Sequence, residues 1–191
     1  TKEKGYGSDK GGMVPFRPYF QPQLLSTSQE GRDMNVPVWN PAVEFMEREA
    51  LEQRQLANLR QTVAQALKTP FYQRRLAAVG LTDSKDIASL GDLRHLPYTT
   101  KDDLREAYPY GMLAVDLEQA VRLHTSSGTT GTPTVVYHTR RDLDGWTELV
   151  ARCIVAAGAT AHDVFKNMTN YGLFTGWLGL HYGAERVGML V

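Results

Sequence analysis

The sequence predicts an α/β fold. Three observations lead there. Strand-like and helix-like segments alternate over residues 120–191, the order that marks α/β proteins. A long amphipathic helical pattern precedes them. The composition, 42% hydrophobic and 22% charged, is that of a globular chain rather than a disordered one.

Residues 1–38 read as an irregular N-terminal extension. They are rich in Gly, Pro, Ser and Gln, without a sustained period, and Gly11, Gly12, Pro15, Pro18, Pro22 and Pro37 punctuate them. Phe16, Tyr19, Phe20, Leu24 and Leu25 suit docking on a larger body, while a mobile tail fits equally well.

Residues 39–119 read as a helical part. Asn40 and Pro41 open a helix, because Asn caps free amides and Pro at the first position sacrifices no hydrogen bond. Glu44, Glu47 and Glu49 suit the positive end of the helix dipole. Leu56, Leu59, Val63 and Leu67 form an apolar stripe at three- and four-residue steps. The pattern predicts one helix from Asn40 to about Lys68, and a second over residues 71–79 that stops at Gly80. Short helices are expected over residues 86–90 and 101–107, the latter capped by Thr100 with Asp103 three residues on.

Residues 120–191 read as the α/β part. Residues 120–125 alternate apolar and polar, and residues 134–138 are β-branched, so they form the arms of a hairpin. Residues 143–157 follow as a helix, with Leu143, Trp146, Leu149, Val150, Cys153, Ile154 and Ala157 at helical spacing and Gly158 as the stop. Cys153 is expected to be inert core. A strand over 163–168, a helix over 176–187 and a new apolar run at 188–191 complete the βαβ pattern.

Bulk properties exclude several functions. Lys plus Arg and Asp plus Glu both number 21, so no nucleic-acid arm or polycationic membrane surface is expected. One Cys excludes a disulfide framework and a Cys-cluster metal site. The longest run without a charged residue, 167–184, contains two Asn, two Thr, two Tyr, a His and four Gly. It is too polar for a membrane span. No apolar region follows the N-terminal basic residues, so no secretory signal is expected and a cytoplasmic protein is. Length alone suggests one domain.

The loop between the hairpin arms carries the chemistry. It reads Ser126-Ser127-Gly128-Thr129-Thr130-Gly131-Thr132-Pro133. Glycines let backbone amides converge on one point, a concavity suited to phosphate. The hydroxyls add donors. Two residues separate Gly128 from Gly131, so this is not a Walker A loop. Composition alone also fits a flexible linker, but the flanking strands make it a hairpin tip.

The order of these residues resembles the phosphate loop of the adenylate-forming acyl-CoA synthetase superfamily. Further blocks resemble the phenylacetate–CoA ligase family: Trp39-Asn40-Pro41, Pro70-Phe71-Tyr72, residues 96–105, Leu123-His124-Thr125, residues 170–176 and residues 181–186. The resemblance covers residues 39–191. It implies the N-terminal portion of such a large domain, as α/β, with the helical part wrapped against the strands.

That resemblance implies activation of an aromatic, phenylacetate-like acid by ATP and Mg²⁺ to an acyl-adenylate, then transfer to coenzyme A. Ser126, Ser127, Gly128, Thr129, Thr130 and Gly131 would hold the triphosphate. Tyr171, Gly172 and Phe174 would shape the carboxylate-substrate pocket, where an aromatic face and a close backbone suit a flat ring. The resembled loops carry Lys where this chain has Thr132. The Mg²⁺ ligands, adenine segment and catalytic Lys are expected beyond residue 191, where the chain stops inside a strand-like run. No metal site and no catalytic residue are expected within the chain, which is expected to be inactive alone. A homodimer is compatible with the resemblance. A deazaflavin acceptor of the coenzyme F420 type, or a non-catalytic remnant, are the alternatives.

Other candidates are weaker. His181 and Glu185 form an i, i+4 helix-surface pair rather than half a metal site, since no third ligand is evident; His124 lines the loop or is a satisfied strand residue; and Arg74, Arg75, Arg140 and Arg141 read as solvated helix ends in preference to attractors for the phosphates of coenzyme A.

Overall fold

The computed structural model describes residues 23–25, 36–126, 131, 133–168, 171–172 and 175–191. Two short strands, β1 (Gln23–Leu25) and β2 (Val36–Val38), pair antiparallel with Gln23 opposite Val38. The sequence reading does not anticipate them. Helices α1 (Pro41–Glu44), α2 (Arg48–Ala66) and α3 (Pro70–Ala77) follow. After two 3-10 turns, Ser84–Asp86 and Leu90–His95, comes α4 (Lys101–Glu106). A 3-10 turn at Leu117–Gln119 leads into the antiparallel hairpin β3 (Ala120–Thr125) and β4 (Val135–Thr139). Helices α5 (Arg140–Ala156) and α6 (Thr175–Val187) complete the chain.

The α/β expectation holds. Around α6, Val164 and Leu190 form a parallel bridge, and the Phe165 amide donates to the Leu190 carbonyl at 2.7 Å. This is the start of a βαβ crossover. The strand expected over 163–168 is reduced to that bridge, because Asp163 is engaged in a turn. Its carboxylate accepts the Thr160 amide at 2.7 Å and the Thr160 hydroxyl at 3.0 Å.

The helix expected from Asn40 to Lys68 is broken at residues 45–47. Asn40 makes no side-chain cap. Its side-chain amide donates to Glu148 of α5 at 3.3 Å, and its backbone amide donates to Glu44 at 2.6 Å. Glu47 is extended, and α2 starts anew at Arg48.

The short helix expected over 86–90 is replaced by a 3-10 turn on each side. Asp86 accepts the amides of Thr82 and Asp83, and Asp92 accepts those of Ala88 and Ser89. These amides hold both carboxyls below the usual carboxylate range. The α4 reading stands, with Thr100 and Asp103 forming a capping box. A further box, Thr139 with Asp142, starts α5 three residues earlier than the apolar pattern suggests.

Among the described residues, two apolar clusters hold the fold. In one, Val63 of α2 meets Leu76, Leu81 and Ile87, with Leu56, Leu59 and Leu67 packed against them. The stripe read from the sequence is therefore the inner face of α2. In the other, Trp39, Ala151, Val155 and Val187 join β2, α5 and α6. Cys153 is exposed, which corrects its reading as core. The buried face of α5 runs through Leu143, Ala151 and Val155, and Leu149 and Cys153 lie off it.

Glycines set the approach of α6 to α5. A Cβ on Gly179 would lie 2.3 Å from Trp146 Cζ2, and one on Gly183 would lie 2.4 Å from Val150 Cγ1. No helix among the described residues is long and apolar enough to cross a membrane.

Candidate functional site

The hairpin positions the loop. His124 faces Val136 and Thr125 faces Val135 in the β3–β4 register. Just beyond, Ser126 and Thr134 close the loop. The Ser126 amide donates to the Thr134 carbonyl at 3.0 Å, and the Thr134 amide donates to Ser126 Oγ at 3.0 Å. The serine hydroxyl accepts here and keeps its own proton to donate. Gly131 has φ +127, with nothing within 4 Å of where a Cβ would stand. Strain there, rather than space, favours glycine. Of the predicted phosphate-binding residues, Ser126 and Gly131 are described. Ser127, Gly128, Thr129 and Thr130 lie outside the described residues, as does Thr132.

A ring stack underlies the strand that feeds the loop. His124 is 2% exposed. Its ring lies 4.8 Å from that of His138 and 5.5 Å, edge-on, from Trp146 of α5. His138 stacks on Trp146 with an interplanar angle of 17°. Neither ring nitrogen of His124, nor Nε2 of His138, has a hydrogen-bond partner among the described residues. This corrects the reading of His124 as a satisfied or lining residue.

Burial pushes both imidazoles below the ordinary histidine pKa. For His124 the positive potential of His138 and Arg122 adds to burial. For His138, Asp142 pulls the other way and Arg122 adds to burial. Both rings are held neutral, as packing groups. Among the described residues no hydroxyl, thiol or carboxylate is bonded to either ring, so these residues do not form a nucleophile–base arrangement.

The block predicted to shape the substrate pocket lies at the start of α6. Tyr171 is 54% exposed. Its hydroxyl lies 3.0 Å from His181 Nδ1, and the two rings meet edge to face. His181 Nε2 lies 3.3 Å from Glu185. The expected i, i+4 pair is therefore present and extends to Tyr171, fixing that ring against the helix. Gly172 is exposed, with nothing within 4 Å of a would-be Cβ. Phe174 lies outside the described residues.

Two clefts open among the described residues, one lined in part by His138 and the other in part by Glu185. The larger, about 1040 Å³, lies between α2, residues 107–115 and β4, with Gln61, Tyr108, Tyr137 and Leu149 in its lining. The smaller is lined by Arg122, Arg140 and Arg186. Ser126, Gly131, Tyr171 and Gly172 line neither. Among the described residues no group of three or more His, Cys, Asp or Glu side chains is placed to hold a metal ion.

Comparison with known proteins decides what this loop and hairpin belong to. The chain is 50% identical over 144 residues to the phenylacetate-coenzyme A ligase of Pseudomonas putida, covering 75% of this chain and 33% of that protein. It is 46% identical over 155 residues to the enzyme of that name from Thermus thermophilus, covering 81% and 35%. The chain is homologous to part of phenylacetate-coenzyme A ligase.

It spans about a third of the length of these relatives. No family model matches the chain. Among solved structures it is similar to 2-hydroxyisobutyryl-CoA ligase in complex with 2-HIB-AMP and CoA. The open conformation gives a TM-score of 0.70 at 27% identity, covering 80% of this chain and 36% of that one. The thioesterification state gives 0.71 at 29% identity, covering 80% and 33%. The fold is therefore a portion of the adenylate-forming ligase fold.

The ligase-like blocks outside the loop have structural work. Trp39, 3% exposed, donates its indole N–H to Glu148 at 2.7 Å, and Glu148 also lies 3.5 Å from Arg186. The Trp39-Asn40 block thus ties the N-terminal turn to α5 and α6. The Tyr72 hydroxyl meets Thr99 at 2.7 Å, and Arg75 pairs with Asp103 at 2.6 Å while lying over Phe71. Those contacts join the 70–72 block to the 96–105 block. Arg75 is therefore a tie between α3 and α4 rather than a solvated helix end. The sequence flags Ser126 but not its bond to Thr134, and it misses Trp146 as the ring beneath His124.

Proposed function

We propose that this chain is part of an enzyme that joins a phenylacetate-like aromatic acid to coenzyme A using ATP. The homology to phenylacetate-coenzyme A ligases carries the reading. In the first step a carboxylate oxygen attacks the α-phosphorus of ATP and the bond to pyrophosphate breaks. In the second the thiol sulfur of coenzyme A attacks the acyl carbon and AMP leaves. Negative charge grows on the departing pyrophosphate, so the protein's part is positioning and charge stabilisation.

On this reading residues 126–131 receive the triphosphate, with Ser126 holding the loop's base through Thr134. Tyr171 and Gly172, with Phe174, flank the acid. The ring of Tyr171 is steadied by His181. ATP, Mg²⁺ and coenzyme A are the required partners. Among the described residues no group of His, Cys, Asp or Glu side chains fits a Mg²⁺ ion. The reading carries a cytoplasmic enzyme, a homodimer, and a 191-residue chain that does not turn over alone. Its organisation is an extension to residue 38, a helical part to 119 and an α/β part with the phosphate loop.

The test mixes the complete protein with MgATP, coenzyme A and a panel of carboxylic acids. Pyrophosphate release and thioester formation with aromatic acids are expected. No release with any acid overturns the reading in favour of a non-catalytic protein, the alternative that Thr132 in place of Lys favours. The deazaflavin alternative has no support among the relatives.

A further inference from the structure

Gly179 and Gly183 seat one face of α6 against Trp146 and Val150 of α5, with no room for a Cβ at either position. His181 and Glu185 each come two residues later, about 200° round the helix at 3.6 residues per turn. They therefore lie on the opposite face, the one that meets Tyr171. The close approach at the glycines keeps α6 from rolling, so the backbone that carries His181 is fixed.

The imidazole is held from more than one side. Nε2 lies 3.3 Å from Glu185, and the Tyr182 ring stands edge-on with its centre 5.3 Å away. The Glu185 carboxylate favours hydrogen on Nε2, which leaves Nδ1 of the neutral ring as an acceptor. The Tyr171 O–H then donates to Nδ1 across 3.0 Å. A charged imidazole would donate to the same oxygen, so the tie holds in either state. Tyr171 lies before α6, outside any helix or strand, and is half exposed. The bond and the edge-to-face contact with His181 are what join its ring to the helix.

We propose that His181 is a positioning residue for binding of the acid: backed by Glu185, it pre-sets the Tyr171 ring that flanks the aromatic substrate. The proposal rests on the ligase reading, which supplies that substrate, and it needs no contact between His181 and the acid. A wall fixed before binding loses less freedom when the acid arrives than one that must be ordered then. The gain is the same in the ground state and the transition state, so it falls on KM for the acid and not on kcat.

The test titrates phenylacetate calorimetrically into the complete protein and follows thioester formation with the same acid, ATP and coenzyme A. His181→Ala should weaken phenylacetate binding about three- to tenfold, the cost of ordering one side chain. The KM for phenylacetate should rise by the same factor, with kcat and the KM values for ATP and coenzyme A near wild type. His181→Asn offers an oxygen to the Tyr171 hydroxyl and should recover most of the affinity. Tyr171→Phe, at an exposed position, breaks the same bond without touching α6 and should match His181→Ala. The double variant should be no weaker than either single one, because both remove one interaction. Unchanged affinity in Tyr171→Phe, or losses that add in the double variant, overturns the proposal. A lower thermal midpoint and kcat in His181→Ala, with no recovery in His181→Asn, marks a merely structural histidine and overturns it too. A protein that makes the thioester with the same phenylacetate KM in every variant keeps the ligase reading and loses the positioning role. One that makes no thioester but binds phenylacetate in a His181-dependent way keeps the role and loses the ligase reading.

Discussion

The ring centres of His124 and His138 lie 4.8 Å apart on the two arms of the hairpin that carries the 126–133 loop, with Trp146 against both. Both pKa values are lowered in the folded chain. The unfolded chain therefore takes up more protons than the folded one between the folded values and about 6.5. Stability is full above pH ~6.5 and falls as pH drops through that window. Urea unfolding at pH 8, 7, 6 and 5 should show this fall. His124→Phe should flatten it, because an apolar ring in the same place has nothing to protonate. A wild-type stability that rises on acidification would contradict the buried neutral pair.

Gly183 sets how closely α6 meets α5. Alanine there would bring its Cβ within 2.4 Å of Val150 Cγ1 and 3.2 Å of the Ala151 amide nitrogen. Helix propensity alone would favour Gly183→Ala by up to about 1 kcal/mol. Overpacking costs about 1–3 kcal/mol, and the fixed backbone of α5 gives no room to relax. The net prediction is destabilisation, read as a lower thermal midpoint. A midpoint equal to or above that of the wild type would show that the helices can part without cost.

Glu148 is the acceptor that joins three segments. Trp39 and Asn40 both donate to its Oε1, and Arg186 lies near its Oε2. Glu148→Ala should cost about 1–3 kcal/mol, the range for breaking a desolvated hydrogen bond. Glu148→Gln keeps an acceptor and loses chiefly the half-exposed pair with Arg186, worth about 0–1 kcal/mol. Denaturation midpoints of the two variants should therefore separate clearly. Equal losses would mean that the charge, and not the acceptor, matters.

These ties explain which features were legible in the sequence. The hairpin arms, α4 with its Thr100 cap, and the end of α6 near Gly188 follow from local rules, and the chain obeys them. The uncapped start of α1 does not, because the Asn40 side chain is drawn to Glu148, more than a hundred residues away in sequence. Cys153 looks apolar at helical spacing, yet which face of α5 is buried is set by β2 and α6. In the candidate site, the place of Ser126 and Gly131 in a loop between two strands is readable from the flanking pattern. The burial of His124 was not, since it requires Trp146 to fold back over the strand.

Ser126 has a role in closing the loop that is separable from any contact with phosphate. Its Oγ accepts the Thr134 amide at 3.0 Å, while its backbone amide reaches the Thr134 carbonyl. Ser126→Ala removes the first bond and leaves the second. The stability loss should be about 0.5–1.5 kcal/mol, the net value of one hydrogen bond. Ser126→Thr keeps an oxygen that accepts the Thr134 amide and should restore stability. Under the proposed function, Ser126→Ala in the complete protein should raise the KM for ATP. Proton exchange at the Thr134 amide, followed by NMR, checks the structural half directly. Faster exchange in Ser126→Ala and near wild-type exchange in Ser126→Thr are expected. Unchanged exchange in the alanine variant would show that the amide finds another acceptor, and that the loop's base does not depend on the serine oxygen.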